Sequence, residues 1–308
     1  MEIFKHIAPL KAFLKDLRLQ GKSVGLVPTM GALHAGHISL IKAAKAQNDI
    51  TVSSIYINPT QFNNPADLQK YPRTLENDTQ LLQKVGCDVL FCPENDEMYQ
   101  EKSGLTFDFG SLDKVMEGKF RPGHFSGVAL VVSKFFNIVR PDQAYFGQKD
   151  WQQFAIIRRL NEELKFDIQL HSVPTLREED GLALSSRNLR LTVDERGFAA
   201  IFYQALEAAK QALLAGKKIS EVKKLVKTIV DKQHGAKLEY FEVADSKNLN
   251  LLENVESGSQ PILCIAGYIG DVRLIDNMFL NHSQGELESI HPASAGLSKT
   301  SENDGMKA

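Results

Sequence analysis

Pro28-Thr29-Met30-Gly31-Ala32-Leu33-His34-Ala35-Gly36-His37 is the stretch that decides the fold of this chain. The run before it, Val24 to Val27, is short and apolar and ends at Pro28, as a buried strand does. From His37 onward, apolar residues return at Ile38, Ile41 and Ala44 with Lys42 and Lys45 between them, the spacing of a helix. The stretch is therefore a turn from strand into helix. A helix start offers free N–H groups and partial positive charge, and both favour phosphate. Gly36 removes the side chain where a nucleotide has to lie close to the backbone. His34 and His37 can both point at one polyphosphate and donate hydrogen bonds to charge developing at its α-phosphate. The competing reading is two surface histidines beside a loop, and alone the segment supports no more than a phosphate grip.

The alternation continues outward. Ile50 to Ile57 is rich in β-branched residues and ends at Asn58-Pro59, a strand running into a loop. Leu75 to Val85 reads as a helix closed by Gly86. Asp88 to Cys92 is a strand stopped by Pro93, and Gly127 to Val139 an apolar helix ended by Arg140-Pro141. Ala144 to Phe146 is a short strand, Trp151 to Leu164 a helix, and Ile168 to Val173 a further strand. Strand and helix in turn predict a parallel sheet with helices on both faces. Ligands bind such sheets beyond the carboxyl ends of the strands. The loops at Pro28, Asn58 and Gly147 should therefore meet in one crevice.

After Pro174 the character changes. Thr192 to Leu214 and Ser220 to His234 read as amphipathic helices. Leu238 to Val243, Ile262 to Tyr268 and Val272 to Ile275 read as strands, with Gly270-Asp271 as a hairpin turn. Helices followed by antiparallel strands predict a small α+β domain. From Asn281 to the end, residues 281–308, the polar Ser-, Gly- and Glu-rich sequence reads as a disordered tail.

A chain of 308 residues is comfortable for two domains, and 43% hydrophobic with 24% charged residues is the balance of a globular protein with a sizeable core. The net charge of −2 gives no general pull toward nucleic acid or membrane. Cys87, Cys92 and Cys264 are odd in number and match no zinc spacing, so buried reduced thiols are expected. Neither a signal peptide nor a membrane-spanning run is visible, which makes the cytoplasm the default.

Three further constellations bear on chemistry. Phe146-Gly147-Gln148-Lys149-Asp150 follows a strand and supplies a lysine, a compact charge suited to phosphate. Arg177-Glu178-Glu179-Asp180-Gly181-Leu182-Ala183-Leu184-Ser185-Ser186-Arg187-Asn188 ends in two hydroxyls and a guanidinium fork at the junction of the halves. Asn58-Pro59-Thr60-Gln61-Phe62, with Gln152 and Gln153, offers neutral amides for a substrate bearing hydroxyl and carboxylate groups. Phe135 and Phe136 read as core. Arg121-Pro122-Gly123-His124-Phe125 reads equally as a gating loop or a turn. No Ser-His-Asp or Cys-His nucleophile and no dedicated metal cage stands out; magnesium is expected to arrive with a nucleotide.

Taken in series, these four motifs resemble those of the pantothenate synthetase (pantoate–β-alanine ligase, AMP-forming) family, within the nucleotidylyltransferases that carry a His-x-Gly-His signature. The resemblance runs from near the start to about Leu280. It implies a Rossmann-like ATP- and pantoate-binding domain over 1–175, a C-terminal lid over 176–280, and a cytoplasmic homodimer in coenzyme A synthesis. By similarity, Met30 to His37, Gly147, Gln148, Lys149, Asp150, Leu176, Leu184, Ser185, Ser186 and Arg187 contact ATP. Gln61 and Gln153 hold pantoate, with Gln61 also near β-alanine. His34, His37 and Lys149 are the catalytic candidates, His37 in the proton-donor position. Leu184 stands where the family often has methionine, a nearly isosteric change.

The implied reaction fits the residue types. An amine cannot displace oxide from a carboxylate. If the pantoate carboxylate first attacks the α-phosphate of ATP, pyrophosphate leaves and an acyl adenylate remains, from which β-alanine expels AMP. Positioning and charge stabilisation dominate the first step, so His, Lys, Ser and Arg suffice without a protein nucleophile. Two other readings compete. A simple nucleotidylyltransferase would act on a phosphate ester, for which the amide-rich loops are a poor match. A non-catalytic nucleotide- or RNA-binding module conflicts with the net charge and the lack of basic-aromatic interleaving.

Overall fold

The computed structural model describes residues 1–101, 103–256, 258–281 and 288–290. Glu2–Phe4 (β1), Val24–Thr29 (β2), Ile50–Ile55 (β3), Val89–Phe91 (β4), Gln143–Gly147 (β5) and Gln169–Val173 (β6) lie parallel in the order β1-β4-β3-β2-β5-β6. From β2 the chain steps to β3 and β4 on one side and later to β5 and β6 on the other. The loops after β2 and β5 therefore flank the switch point, where an open parallel sheet forms its crevice.

Helices α1 (Ile7–Leu19), α2 (Ala35–Gln47), α3 (Pro65–Gln69), α4 (Leu75–Lys84), α5 (Asn95–Met98), α6 (Met116–Phe120), α7 (His124–Val139) and α8 (Trp151–Glu163) connect these strands. Side-chain alternation along β2 assigns the faces. Val24 and Leu26 join a core with Leu10 and Leu14 of α1, Val132 and Phe135 of α7 and Phe154 of α8. Val27 points the other way, to Ile41 and Ala44 of α2 and Leu82 of α4. Both faces of the sheet are covered, which is why its strands read as continuous apolar runs.

Val193–Phe198 (α9), Ile201–Leu214 (α10) and Ile219–Asp231 (α11) precede an antiparallel sheet of Ala236–Asp245 (β7), Pro261–Ile269 (β8) and Val272–Phe279 (β9). Its two faces have different duties. Phe241, Val243, Leu263 and Ile265 pack under α10 and α11. Tyr240, Ala244, Ile262, Cys264 and Phe279 join the core of the first sheet. Trp151 marks that seam, donating from Nε1 to the Ser246 carbonyl at 2.9 Å and meeting the Phe279 ring edge-on at 4.8 Å.

The expected parallel sheet with helices on both faces and a small antiparallel C-terminal domain is the architecture observed. Details differ. The expected helix from Thr192 to Leu214 is two, α9 and α10, parted just after Gly197, a poor helix former. Gly270, at φ 54°, makes the expected tight turn between Ile269 and Val272. Cys87, Cys92 and Cys264 are buried free thiols, and burial pushes Cys87 up to about 11. Most of the expected disordered tail, 281–308, lies outside the described residues. For Glu288–Ile290 (β10) the expectation is corrected: this short strand pairs antiparallel with β6, whose backbone groups on that side it satisfies.

Candidate active site

The loop between β2 and α2 is held from both ends. Thr29 Oγ1 donates to the Ser54 carbonyl at 2.7 Å and accepts the Gly31 N–H at 3.2 Å. Gly31 (φ 81°) and Ala32 (φ 50°) then turn the chain through the left-handed region. That turn exposes two N–H groups inside the protein, and the buried carboxylate of Asp78 accepts both, from Ala32 at 2.9 Å and Leu33 at 2.8 Å.

The histidines themselves build the start of α2. The helix begins at Ala35, two residues before the expected start, because His34 is its cap. Nδ1 of His34 accepts the Gly36 N–H at 3.1 Å, and Nδ1 of His37 accepts the His34 N–H at 3.3 Å. This reciprocal arrangement satisfies two otherwise unpaired donors. It also assigns the tautomers: with Nδ1 accepting, each neutral ring carries its proton on Nε2. The neutral state is enforced. Burial, with Lys149 next, pushes His34 down to about 4. Burial, with His34 and Lys149 next, pushes His37 down to about 3. The two rings lie 4.1 Å apart between centroids, and both line the cleft.

Lys149 and Asp150 line the same cleft from the loop after β5. Lys149 Nζ lies 3.9 Å from Asp150 Oδ1. Asn277 of β9 donates to the carbonyls of Gln148 and Lys149 at 2.8 and 2.7 Å, so the C-terminal sheet fixes this loop. Residues 176–184 form a narrow excursion in which the Leu184 N–H meets the Leu176 carbonyl at 3.0 Å, placing both leucines at the cleft. Arg177 anchors it with a two-pronged contact to Asp276 at 2.6 and 3.0 Å. Ser185, Ser186 and Arg187 follow, all lining the cleft.

Gly127 of α7 lets that helix approach Pro59–Gln61 so closely that an added Cβ would lie 2.3 Å from the Thr60 carbonyl oxygen. The four amides read from the sequence separate here. Asn58 is consumed internally: its amide donates to the Gly127 carbonyl at 3.1 Å and to Gln61 Oε1 at 3.2 Å, and its oxygen accepts the Tyr99 hydroxyl at 3.0 Å. Gln152 is consumed too, accepting the Glu117 N–H and donating to the Leu112 and Val115 carbonyls. Gln61 and Gln153 reach the cleft.

Of the sequence-derived site, Met30, His34, Gly36, His37, Gly147, Lys149, Asp150, Leu176, Leu184 to Arg187, Gln61 and Gln153 surround one cleft. Gly31, Ala32, Leu33, Ala35 and Gln148 do not line it; their part is to shape the loops. Arg121, Pro122 and Gly123 form a tight turn between α6 and α7, and His124 and Phe125 open α7, with Arg121 and His124 on the cleft wall. Sequence reasoning missed Asp78, Asp67, Tyr71 and Arg273. Helical spacing hid Asp78 and Asp67 among ordinary surface acids; a lone Arg three residues past a hairpin glycine was the one available signal for Arg273.

Fold and site together define an α/β enzyme that gathers a strongly polar, cationic set of side chains at the switch point of a parallel sheet. The sequence model described as Pantoate-beta-alanine ligase matches residues 2–279, and the chain belongs to this family. It is 48% identical over 278 residues to the pantothenate synthetase of Bacteroides fragilis (strain YCH46), covering 90% of this chain and 98% of the relative. To that of Carboxydothermus hydrogenoformans it is 46% identical over 282 residues, covering 91% and 99%. The crystal structure of pantothenate synthetase from Thermus thermophilus superposes with TM-score 0.84 at 39% identity, covering 91% of this chain and 99% of that one. The pantoate-beta-alanine ligase of Francisella tularensis, complexed with beta-gamma ATP and beta-alanine, matches with TM-score 0.78 at 36% identity, covering 92% and 100%. The activity of this chain is that of a pantoate–β-alanine ligase.

Proposed function

We propose that this cleft condenses pantoate with β-alanine in two steps, through a pantoyl adenylate, releasing pyrophosphate and then AMP. The observation that carries the reading is the pair of neutral histidines, both with Nδ1 occupied, beside Lys149 in one cleft. The Nε2–H groups of His34 and His37 and the Lys149 ammonium stabilise charge at the α-phosphate while the carboxylate attacks. A ring held neutral down to about pH 3 to 4 serves as a hydrogen-bond donor rather than as an imidazolium acid, and this is the role we assign to His37. Ser185, Ser186 and Arg187 supply hydroxyls and a guanidinium for phosphate oxygens. Met30, Gly36, Gly147, Leu176 and Leu184 complete the nucleotide's surroundings, and Gly31, Ala32, Leu33, Ala35 and Gln148 shape the loops that present them. Gln61 and Gln153 hold the hydroxyls and carboxylate of pantoate, and Gln61 also lies near β-alanine.

Magnesium comes with the nucleotide in this reading. It favours oxygen ligands and keeps several waters, and the partly exposed Asp150 carboxylate at the cleft fits that need. When bound it neutralises phosphate charge. Residues 1–175 form the ATP- and pantoate-binding domain and 176–280 the lid, whose Ser185 to Arg187 segment shields the adenylate from water. The need for ATP and the three reduced thiols suit the cytoplasm. Family membership supports a homodimer in this reading, and sedimentation at assay concentration tests it.

The deciding experiment is pyrophosphate–ATP isotope exchange, followed by product analysis with ATP, pantoate and β-alanine. Exchange should require pantoate and not β-alanine, and the full mixture should yield AMP and pantothenate. Exchange that is absent, or that needs β-alanine, would end the two-step reading.

A further inference from the structure

A chain of buried and half-buried polar groups runs from the C-terminal sheet along the cleft wall to Gln61, and the chemistry above does not use it. Arg273, the second residue of β9, donates from Nη1 to Glu117 Oε2 at 2.8 Å and from Nη2 to Oε1 at 2.7 Å. Its Nε donates to Glu239 Oε2 on β7 at 2.9 Å. The Tyr240 hydroxyl donates to Glu117 Oε1 at 2.9 Å. One turn beyond Glu117, Arg121 Nη1 stands 3.7 Å from Glu117 Oε2 but 3.1 Å from His124 Nε2. His124 Nδ1 lies 2.8 Å from the Gln61 carbonyl oxygen.

Donor and acceptor chemistry gives each link one direction. A guanidinium only donates, so Nε2 of His124 accepts and the ring proton sits on Nδ1, which donates to Gln61. Two carboxylates, Glu117 and Glu239, face two guanidinium groups, so the cluster is balanced in charge. The planar fork of Arg273 occupies both oxygens of Glu117 at once, which a lysine's point charge cannot do. Because Glu117 is satisfied from that side, Arg121 remains outside hydrogen-bond distance of it and stays on His124. Without the fork, the buried Glu117 carboxylate would have Arg121 as its nearest cation. The cost of leaving a buried charge unpaired would draw Arg121 away from His124.

We propose that Arg273 is a positioning residue for the acid substrate: by occupying Glu117 it keeps Arg121 on His124, and through His124 it fixes the backbone at Gln61. The inference rests on the reading of Gln61 as a pantoate contact. It gives the C-terminal sheet a second duty, since the strand that holds the Lys149 loop through Asn277 also sets the pantoate end through Arg273.

The test compares wild type with R273M and with the double variant E117Q/R273M. R273M should raise the KM for pantoate about tenfold, the size of one lost charge-assisted hydrogen bond, with a much smaller change in the KM for ATP. Adding E117Q removes the charge that captures Arg121, so the double variant should be less impaired than R273M alone, a non-additivity a merely structural role does not give. Nitrogen-15 NMR of the His124 ring should report the Nδ1–H tautomer in wild type and a mixture in R273M. If R273M does not fold, R273K is read in the same way, with a smaller rise that E117Q again suppresses. Unchanged pantoate KM and His124 tautomer, or equal and additive effects on both substrates, would overturn the proposal. The tautomer readout needs no turnover, so a wild type that makes no pantothenate would defeat the functional reading without deciding this one.

Discussion

Asp67 of α3 binds Arg187 through Oδ2 at 2.9 Å, and its other oxygen receives Arg190 at the same distance. The contact joins the segment after β3 to the segment that carries the serines, and Tyr71 reinforces it with a 3.2 Å hydroxyl contact to Ser186. Arg187 is also the guanidinium proposed to meet ATP, so Asp67 and the phosphates compete for it. In Asp67→Asn that competition ends. The pair is partly exposed and worth about 1 kcal/mol at most, so the KM for ATP should fall by no more than roughly fivefold. The same change loosens the cover, and AMP formed without pantothenate should rise. An ATP KM that rises instead would mean that Asp67 orients Arg187 for the nucleotide rather than competing for it.

Stability should depend on pH through the buried rings. His34 sits at about 4, and His37 and His124 at about 3, all below the ordinary 6.5, in each case first because burial disfavours the charged ring. Between those values and 6.5 the unfolded chain binds more protons than the folded one, so stability rises with pH there. The contribution is complete above about 6.5 and is lost progressively as pH falls toward 4 and then 3. Thermal melts from pH 8 down to pH 5 should show Tm falling once pH drops below about 6.5. His37→Asn, which cannot titrate, should give a shallower slope. A slope identical to wild type would show that His37 is protonated in the folded protein.

Asp78 is predicted to matter as much as the residues it positions. Its carboxylate accepts the Ala32 and Leu33 N–H groups and the Thr74 hydroxyl, the last at 3.1 Å. Asp78→Ala leaves two buried donors unpaired, at a cost of about 1–3 kcal/mol each. The left-handed turn at Gly31 and Ala32 should relax, lowering Tm and raising the KM for ATP together. Asp78→Asn keeps one acceptor and should fall between. A lowered Tm with an unchanged KM for ATP would limit Asp78 to stability.

Much of this site was legible in the sequence because its carriers are local. His34, Gly36 and His37 sit within one turn, and Lys149 follows its strand directly, so spacing alone placed them at strand ends. The partners that hold them were not legible, because they are distant in sequence and chemically ordinary. Asp78 acts 46 residues from Ala32 and Arg273 acts 156 residues from Glu117. Nothing in the composition distinguishes Asn58 and Gln152, which are spent on backbone carbonyls, from Gln61 and Gln153, which reach the cleft. The shared face of the C-terminal sheet was hidden for a similar reason. Alternation along β8 shows two apolar faces without saying that one of them, through Ile262 and Cys264, belongs to the other domain's core.

Gly127 tests how finely Gln61 is placed. Asn58 reads the Gly127 carbonyl and Gln61 Oε1 with the same amide, so α7 and the Gln61 turn move together. A methyl at 127 would meet backbone atoms of Thr60 and Gln61, at 2.3 and 2.7 Å, neither of which can rotate away. Gly127→Ala should therefore lower Tm, at a cost of about 1–3 kcal/mol. The KM for pantoate should rise while that for ATP holds. A stable, fully active variant would mean that this turn yields freely, contrary to the buried Asn58 network.

Lys149→Ala separates chemistry from folding. The loop backbone is held by Asn277 through the Gln148 and Lys149 carbonyls, which the substitution leaves in place, so Tm should barely change. The ammonium is a different matter. Losing one preorganised group at a charge-developing centre costs on the order of 10²–10³ in rate, and pyrophosphate–ATP exchange should fall by that much. Asn277→Ala should slow exchange less, since the lysine remains but its loop is freer. Stopped-flow quench distinguishes the steps: both variants should accumulate less adenylate, with the second step from isolated adenylate affected little. Wild-type exchange in Lys149→Ala would remove this lysine from the α-phosphate and leave the histidine pair to carry the first step alone.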